Sequence, residues 1–441
     1  MKTRRDFLRS TVLGASAAWT IPMFIDRTFA QLHEESKDLA IQPVTGKDDT
    51  ILVVLQLAGG NDGLNTLVPY ADDAYYRARP KIGKKAKEII KLDDHVGLNA
   101  SMPYLGSLFK EGGLGVIQGV GYPNPNRSHF VSTSIWETAD PSHRANTGWL
   151  GRYFDHACQG ADPTVGISFN KTQPESFGAL RNPGICLHTP ELYQWLHGGS
   201  DKAQAEEFFA SLNQPEKTTD ADDEPSGGAS IGMAAGGKTG GIAGESNISF
   251  LERVALDARV SSKQILELAA KHKTKVRYDG TPIARNLNLV ARMVAGGMPT
   301  RVYYVSHGGF DTHNQQVNSH DRLLGQLDSA LKSFFSDLKE QGNADRVTLM
   351  TFSEFGRRVS ENASAGTDHG KASCMFVAGP SIQSGLHGVY PSLTDLSEGD
   401  LRHSVDFRSV YATVLEDWLK APSASQILGA TYPKMGLVRR V

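Results

Sequence analysis

Ile51-Leu52-Val53-Val54-Leu55-Gln56-Leu57 is a continuous apolar run of strand length, and Ala58-Gly59-Gly60 ends it abruptly. A strand that is apolar on both faces fits the centre of a parallel sheet that helices cover. Similar runs recur along the chain, at Leu114–Gly119, Arg301–Ser306, Val347–Phe352 and Cys374–Ala378. The run at 51–57 therefore predicts the core strand of a layered α/β fold.

Helical periodicity separates these apolar runs. It predicts helices over Phe250–His272, Pro282–Ala295, Val317–Gln341 and Phe407–Leu419. Alternation of strands and helices is typical of a mostly parallel central sheet with helices on both faces. We therefore predict a single α/β domain over residues 50–441, long enough to bury a substantial core.

One internal segment departs from this pattern. Residues 213–246 are rich in Gly, Ser, Asp and Glu and contain almost no large apolar side chains. Such a segment cannot bury enough apolar surface to offset the entropy lost on ordering. We expect a flexible insertion within the domain here.

The first thirty residues have the pattern of an export signal. Arg4 and Arg5 precede Phe7 and Leu8, a mildly apolar stretch follows, and small residues end the segment. This order is typical of a twin-arginine signal peptide; the alternative is an ordinary secretory signal. Residues 31–49 are mostly polar, and we expect them to form a leader with little structure. We expect a protein that acts in the periplasm or is secreted.

Composition limits the partners of the mature chain. The formal net charge of −2 gives no basic surface of the kind that nucleic acid requires. No apolar run after the signal is long enough to span a bilayer. The three cysteines, Cys158, Cys186 and Cys374, lack metal-type spacing. Either the first two form one disulfide or all three are buried thiols.

Polar residues follow directly after several predicted strands. In open α/β sheets, ligands bind beyond the carboxyl ends of the strands. Asp62, in the sequence GGNDGLN, follows the first strand. Its carboxylate either points into this crevice or caps the next helix.

A second polar segment, NPNRSHF at 124–130, follows the strand that ends near Gly119. It places Ser128 close to the start of a helix, where free N–H groups and the helix dipole favour an anion. Arg127 would clamp phosphate oxygens in bidentate fashion. The alternative is that Ser128 is only the residue that caps this helix.

The densest polar cluster is SHGGFDTH at 306–313, after the strand 301–306. Asp311 and His313 combine carboxylate and imidazole, which together suit Zn²⁺, Mn²⁺ or Fe. Glu354 follows the next strand, and His369 lies shortly before the last one. We expect these side chains to meet at one edge of the sheet.

The ordered set GGNDGLN, NRSHF, HGGFDTH, SEFGR and TDHG, behind a twin-arginine leader, resembles a bacterial exported family. That family is called domain of unknown function fifteen-oh-one, and it is placed in the alkaline-phosphatase-like, sulfatase-like superfamily. The resemblance covers essentially all of residues 50–420. It implies an alkaline-phosphatase-like fold, a divalent metal and a serine nucleophile.

The resemblance also implies roles for individual residues. Asp62 matches the first metal carboxylate, and Ser128 matches the nucleophile. Four further residues match metal ligands that the family carries on later loops, namely Asp311, His313, Glu354 and His369. At the position where family members often carry Asp-His, this chain has Glu354-Phe355, so one imidazole is missing. The sulfatase nucleophile motif would place Pro123 at the reactive position, which argues against a formylglycine sulfatase.

The resulting expectation is a metal-dependent hydrolase or transferase of phosphate or sulfate esters. It would hold one or two divalent ions, with Zn²⁺, Mn²⁺ and Ca²⁺ as candidates. Ser128 would attack the ester, and Arg127 or Arg357 would neutralise the charge that develops. The substrate would be a small molecule or a polysaccharide ester. The alternative is a catalytically degenerate protein that binds or assembles envelope components on the same fold.

Overall fold

A nine-stranded, mostly parallel sheet forms the centre of the protein in the computed structural model, which describes residues 50–187 and 271–439. The described strands, numbered in chain order, are β1 Ile51–Ala58, β2 Leu67–Val68, β3 Ile89–Lys91, β4 Gly97–Asn99, β5 Leu114–Gly121, β6 Gly166–Ser168, β7 Ile185–Cys186, β8 Val302–Gly308, β9 Val347–Phe352, β10 Ser373–Ala378, β11 Gly385–His387, β12 Leu396–Ser397, β13 Asp400–Leu401 and β14 Val405–Asp406.

Helices lie between these strands along the chain. Those described are α1 Gly63–Thr66, α2 Asp73–Ala78, α3 Pro103–Lys110, α4 His129–Thr138, α5 Trp149–Ala157, α6 Pro282–Ala295, α7 Gln316–Glu340, α8 Phe407–Thr413 and α9 Ala424–Leu428. A π-helical turn over Val414–Trp418 continues α8. None of the described helices is both long and apolar enough to cross a membrane.

The strand order of the central sheet is β11-β5-β10-β9-β1-β8-β6-β7, with β14 beside β5. Every described pair in it is parallel except those of β10, which runs antiparallel to both β5 and β9. The amino end of β10 therefore lies at the same edge as the carboxyl ends of its neighbours. A loop before β10 and loops after the other strands meet at this edge.

Alternating residues of β1 face the two layers of helices, as the period of a strand requires. Val53 and Leu55 pack in one core with α6 and α7, whereas Leu52 and Val54 pack in another with α4, α5 and α8. All four side chains are fully buried. The sheet is thus covered on both faces, as the run of apolar residues in β1 predicts.

The structure confirms the α/β class and the mostly parallel sheet. All five predicted strands are present, as β1, β5, β8, β9 and β10, and three of the predicted helices are present, as α6, α7 and α8 with its π-helical turn. The signal at 1–30, the leader at 31–49, the insertion at 213–246 and nearly all of the helix at 250–272 lie outside the described residues. Cys158 and Cys374 are buried thiols, and no disulfide joins Cys158 to Cys186.

Candidate metal centre

Four side chains from three segments meet at the carboxyl edge of the sheet. Asp311 and His313 lie on the loop after β8, His369 lies on the loop before β10, and His129 is the first residue of α4. We call these four residues the histidine cluster. Donor atoms of His129, Asp311 and His369 all lie within 4.8 Å of one another.

The imidazoles of the histidine cluster turn their Nε2 atoms toward one carboxylate oxygen. The distance to Asp311 Oδ1 is 3.5 Å from His129, 3.0 Å from His313 and 3.4 Å from His369. The Nε2 atoms of His313 and His369 are 2.9 Å apart. Three imidazole nitrogens thus lie within 3.5 Å of one carboxylate oxygen, and those of His129 and His369 are close enough to each other to share an ion with Asp311.

The outward-facing Nδ1 atoms of the three imidazoles have oxygen partners. His129 Nδ1 lies 2.8 Å from Glu354 Oε1, and His369 Nδ1 lies 2.8 Å from the carbonyl oxygen of Arg127. His313 Nδ1 lies 3.5 Å from Asp368 Oδ1. Carbonyl and carboxylate oxygens accept hydrogen bonds, so they favour the tautomer with the proton on Nδ1. That tautomer directs the Nε2 lone pairs into the cluster.

A cation fits this arrangement. His129 Nε2 is buried and has no hydrogen-bond partner. With the protons on Nδ1, His313 and His369 also direct two lone pairs at each other across 2.9 Å. Lone pairs that face one another and a carboxylate are stabilised by a positive ion between them. Three imidazole nitrogens and one carboxylate oxygen form a donor set typical of Zn²⁺ and related transition metals.

Arg357 holds Asp311 in its ionised form. Its Nη2 lies 2.7 Å from Asp311 Oδ1, and the guanidinium also donates to the backbone carbonyls of Gly60 and Thr367. Partial burial alone would raise the pKa of Asp311, but the hydrogen bond and charge of Arg357 outweigh it, with smaller contributions from His313 and His129. The pKa of Asp311 therefore lies below its usual range.

The surroundings of His369 favour its neutral form. Partial burial lowers its pKa, and the charge of Arg357 lowers it further, against the opposing hydrogen bonds to the Arg127 carbonyl and to Asp311. A neutral imidazole is the form that binds a metal.

The turn after β1 allows the Asp311 loop to approach. Gly59 has φ +120°, and a Cβ at this position would lie 2.4 Å from the backbone nitrogen of Asp311. Glycine is the residue that tolerates both the positive φ and this close contact. Gly59 is therefore required for the close approach of the Asp311 loop.

Asp62 is not part of the histidine cluster. Its carboxylate is fully buried and pairs with Arg79 Nη1 at 2.6 Å. Its Oδ1 also accepts from the backbone N–H groups of Leu64 and Asn65, so Asp62 caps α1. Burial alone would raise the pKa of Asp62, but Arg79 outweighs it and the pKa is lowered. Of the two roles open to Asp62 from the sequence, the structure shows the helix cap.

The remaining candidates surround the cluster. Glu354 contacts it through His129, and its Oε1 also accepts from the backbone N–H of Gly59. Ser128 is exposed and is the N-cap residue of α4, although its hydroxyl makes no capping hydrogen bond. The Arg127 guanidinium pairs with Glu398 and Asp400 rather than with the cluster.

His129 is the functional candidate that the sequence prediction left out. It lies in the quoted NRSHF segment, beside the two residues to which roles were given. The rule that found the other candidates, a polar residue in the loop after a buried strand, applies equally to His129 after β5. Its spacing from the other ligands gave no further signal, because they are distant in sequence.

A cleft of about 780 Å³ lies beside the cluster. Arg127, whose carbonyl accepts from His369, and Lys371, two residues after His369, both line it. Arg402 and His403 add further basic groups, and Glu398 adds an acidic one. This charge distribution favours an anionic ligand.

A family model described as "Protein of unknown function (DUF1501)" matches residues 49–419. No curated protein matched the sequence.

Solved structures with similar chain traces were also found. They include the lipoteichoic acid synthase LtaP from Listeria monocytogenes, with TM-score 0.32, 9% identity, and coverage of 80% of this chain and 73% of that chain. The PsFucS1 sulfatase from Pseudoalteromonas sp. has TM-score 0.33, 10% identity, and coverage of 94% and 77%. The alkaline phosphatase of the Antarctic bacterium TAB5 has TM-score 0.29, 8% identity, and coverage of 76% and 93%. At these TM-scores, the likeness assigns neither residue roles nor an activity.

Proposed function

This chain belongs to the family of proteins of unknown function DUF1501, and we propose that it is a metal-dependent hydrolase or transferase of phosphate or sulfate esters. The observation that carries the proposal is the convergence of three imidazole Nε2 atoms on Asp311 Oδ1, at 3.0–3.5 Å. Imidazole nitrogens and a carboxylate oxygen that meet in this way are the donor types that Zn²⁺ and related metals bind.

The ligands we propose are His129, His313, His369 and Asp311. Three nitrogen donors favour Zn²⁺ or Mn²⁺ over Ca²⁺, which prefers oxygen donors. When bound, such an ion would supply a positive centre that stabilises the charge developing on ester oxygens. Asp62 and Glu354 are not proposed as ligands, since Asp62 caps α1 and Glu354 holds His129.

The protein's own groups orient the site. Glu354 and the Arg127 carbonyl accept the Nδ1 protons of His129 and His369, which fixes both rings and directs Nε2 inward. Arg357 keeps Asp311 ionised. The buried Phe355 ring lies 4.8 Å from the ring of His129 and 4.6 Å from that of His369, so it forms an apolar wall behind them.

The substrate would enter through the basic cleft. The basic side chains of the cleft would attract the anionic substrate as a whole. Ser128 is our proposed nucleophile, because it is exposed, immediately precedes the ligand His129 and does not use its hydroxyl to cap α4. The size of the cleft leaves room for a polysaccharide ester as well as a small molecule.

We further propose that the protein acts outside the cytoplasm. The basis is the sequence of residues 1–30, with its paired arginines and short apolar stretch. Export of folded protein by this route would allow a metal to be inserted before translocation.

Elemental analysis of the purified protein, combined with a panel of phosphate and sulfate esters, tests the proposal. We expect about one Zn²⁺ or Mn²⁺ per chain, held by one set of four ligands, and ester hydrolysis by the loaded protein. The His129→Ala variant should lose both, whereas Ser128→Ala should keep the metal and lose turnover. A folded wild-type protein without bound metal would overturn the proposal.

Bound metal without turnover on any ester would favour the alternative function, a binding or assembly protein of the cell envelope. In that case Ser128→Ala would leave the cellular role intact, whereas deletion of the gene would abolish it.

A further inference from the structure

A short hairpin places one acidic side chain in the basic cleft. Its strands are β12 and β13, and the two residues between them, Glu398 and Gly399, have φ +59° and +85°. Both lie in the left-handed region that a two-residue hairpin turn requires. Glycine adopts this region freely, whereas a glutamate there is uncommon.

The Glu398 carboxylate bridges two cations. Its Oε2 lies 3.2 Å from Arg127 Nη2 and 3.1 Å from Lys371 Nζ. The side chain of Glu398 is nevertheless 73% exposed, while that of Lys371 is only 14% exposed. The hydrogen bond and charge of Lys371, together with the charge of Arg127, hold the pKa of Glu398 below its usual range. An ionised carboxylate therefore occupies the point between the two cations.

Asp400, the second acid that pairs with Arg127, is held more firmly than Glu398. Asp400 pairs with Arg127 and lies 3.5 Å from Arg358 Nε, and its side chain is fully buried. Because leaving a charge buried and unpaired is costly, Asp400 is a permanent partner of Arg127. Glu398 is exposed, and exposed ion pairs contribute little stability. Of the two acids, Glu398 is the one that another anion can replace.

Arg127 and Lys371 are also held by contacts that do not involve Glu398. Asp400 still holds the Arg127 guanidinium, and Lys371 Nζ still donates to the Ser397 hydroxyl at 3.0 Å and to its carbonyl oxygen at 3.3 Å. Because the Glu398 side chain is 73% exposed, its rotation alone would uncover them without movement of the hairpin. What remains is a preformed pair of cations facing a cleft, with one carboxylate, Asp400, to balance them.

We propose that Arg127 and Lys371 form an oxyanion subsite in the cleft, that Glu398 fills it in the absence of substrate, and that a phosphate or sulfate group of the substrate displaces Glu398. The inference rests on the proposed function, because it assigns a second anionic group to the same substrate. It narrows the substrate class to esters with at least two such groups, for example a polysaccharide with several sulfate or phosphate esters.

Calorimetric titration of inorganic sulfate into wild-type and variant protein tests the subsite. Glu398→Gln removes the competing charge and keeps the size of the side chain, so we expect sulfate to bind about fivefold more tightly, the order expected when two exposed ion pairs no longer compete. Adding Lys371→Met should abolish this gain. Glu340→Gln, which removes one exposed acid at the far end of α7, is the matched control and should leave binding unchanged.

The same comparison in a His313→Ala background separates the subsite from the histidine cluster. We expect the fivefold gain in both backgrounds. Equal binding by wild-type and Glu398→Gln, an equal gain in Glu340→Gln, or a gain that survives Lys371→Met would overturn the subsite. If Glu398→Gln binds sulfate more tightly as expected, but the protein holds no metal and hydrolyses no ester, the subsite stands and the proposed function is overturned. The two failures are therefore distinguishable.

Discussion

Two buried arginines each hold one aspartate at the carboxyl edge of the sheet, and the two pairs have different surroundings. Arg79 and Asp62 are both completely buried. Arg357 is just as buried, but the side chain of its partner Asp311 is 50% exposed. The residue types are the same, so the types alone do not distinguish a structural pair from a ligand site.

The difference lies in what else contacts each carboxylate. Asp62 is surrounded by donors only, namely Arg79, the Gln316 side-chain amide and two backbone N–H groups. Asp311 Oδ1 faces one guanidinium and three imidazole Nε2 atoms. A buried carboxylate whose hydrogen bonds are all made by fixed donors stabilises the fold, whereas a half-exposed carboxylate among imidazole nitrogens can share a cation with them. Four predictions test this distinction.

The largest expected effect comes from the same substitution made in both pairs. Asp62→Asn leaves the Arg79 charge buried and unpaired, so we expect the free energy of unfolding to fall by about 3–5 kcal/mol. Asp311→Asn should cost about 1 kcal/mol or less, because solvent already screens the half-exposed carboxylate and water can take its place beside the Arg357 guanidinium. Chemical denaturation of both variants measures the two losses.

For metal content we expect the opposite order, with the larger loss in the Asp311 variant. Asp62→Asn protein that remains folded should retain its metal, whereas Asp311→Asn should lose most of it. Similar losses of stability in both variants, or loss of metal in the Asp62 variant alone, would contradict the distinction between the two aspartates.

The second prediction concerns the carboxylate behind the histidine cluster. Glu354 accepts from His129 Nδ1 at 2.8 Å and thereby directs Nε2 inward. Glu354→Gln keeps an acceptor but removes the negative charge, so we expect metal affinity to fall about tenfold, at the low end of the range for partners of metal-bound histidines. Competition with a chromophoric chelator measures the affinity, and an unchanged affinity would show that His129 is not a ligand.

The third prediction separates the two regions by pH. His320 lies in the buried region with Asp62, and its Nε2 is 3.0 Å from Asn61 Oδ1. Burial lowers the pKa of His320 to about 4, outweighing the opposing charges of Asp62 and Asp321. The folded protein then keeps this histidine neutral, while the unfolded chain binds a proton below about pH 6.5.

The stability supplied by a neutral His320 is therefore complete above pH 6.5 and is lost as the pH falls toward 4, by up to about 1.4 kcal/mol per pH unit. His320→Gln removes this titration, so the unfolding free energy of the variant should fall less steeply than that of wild type over this range. Denaturation curves at several pH values compare the slopes, and parallel slopes would show that His320 does not titrate between the two states.

The sequence predicts the strands that position this site better than it predicts which side chains meet there. The apolar run of β1 and its repeats indicate the strands, and the polar residues at their ends indicate Asp311, His313 and His369. The direction of β10 depends on pairing with β5 and β9, which no local pattern encodes, yet it brings His369 to the edge. The burial of Asp62 likewise depends on Arg79, which follows it by 17 residues and carries no motif.

The smallest effect is expected at Asp368, the outer partner of His313. Its Oδ1 lies 3.5 Å from His313 Nδ1, and its side chain is 56% exposed, whereas Glu354 lies 2.8 Å from its histidine and is 3% exposed. A longer contact in solvent orients the ring less firmly, so Asp368→Asn should lower metal affinity about twofold, the order expected for an exposed ion pair. The chelator competition that serves for Glu354→Gln measures both variants side by side. If Asp368→Asn lowered metal affinity as much as Glu354→Gln, exposure would not decide how strongly an outer carboxylate supports a ligand. The contrast between the two buried arginine pairs would then need another cause.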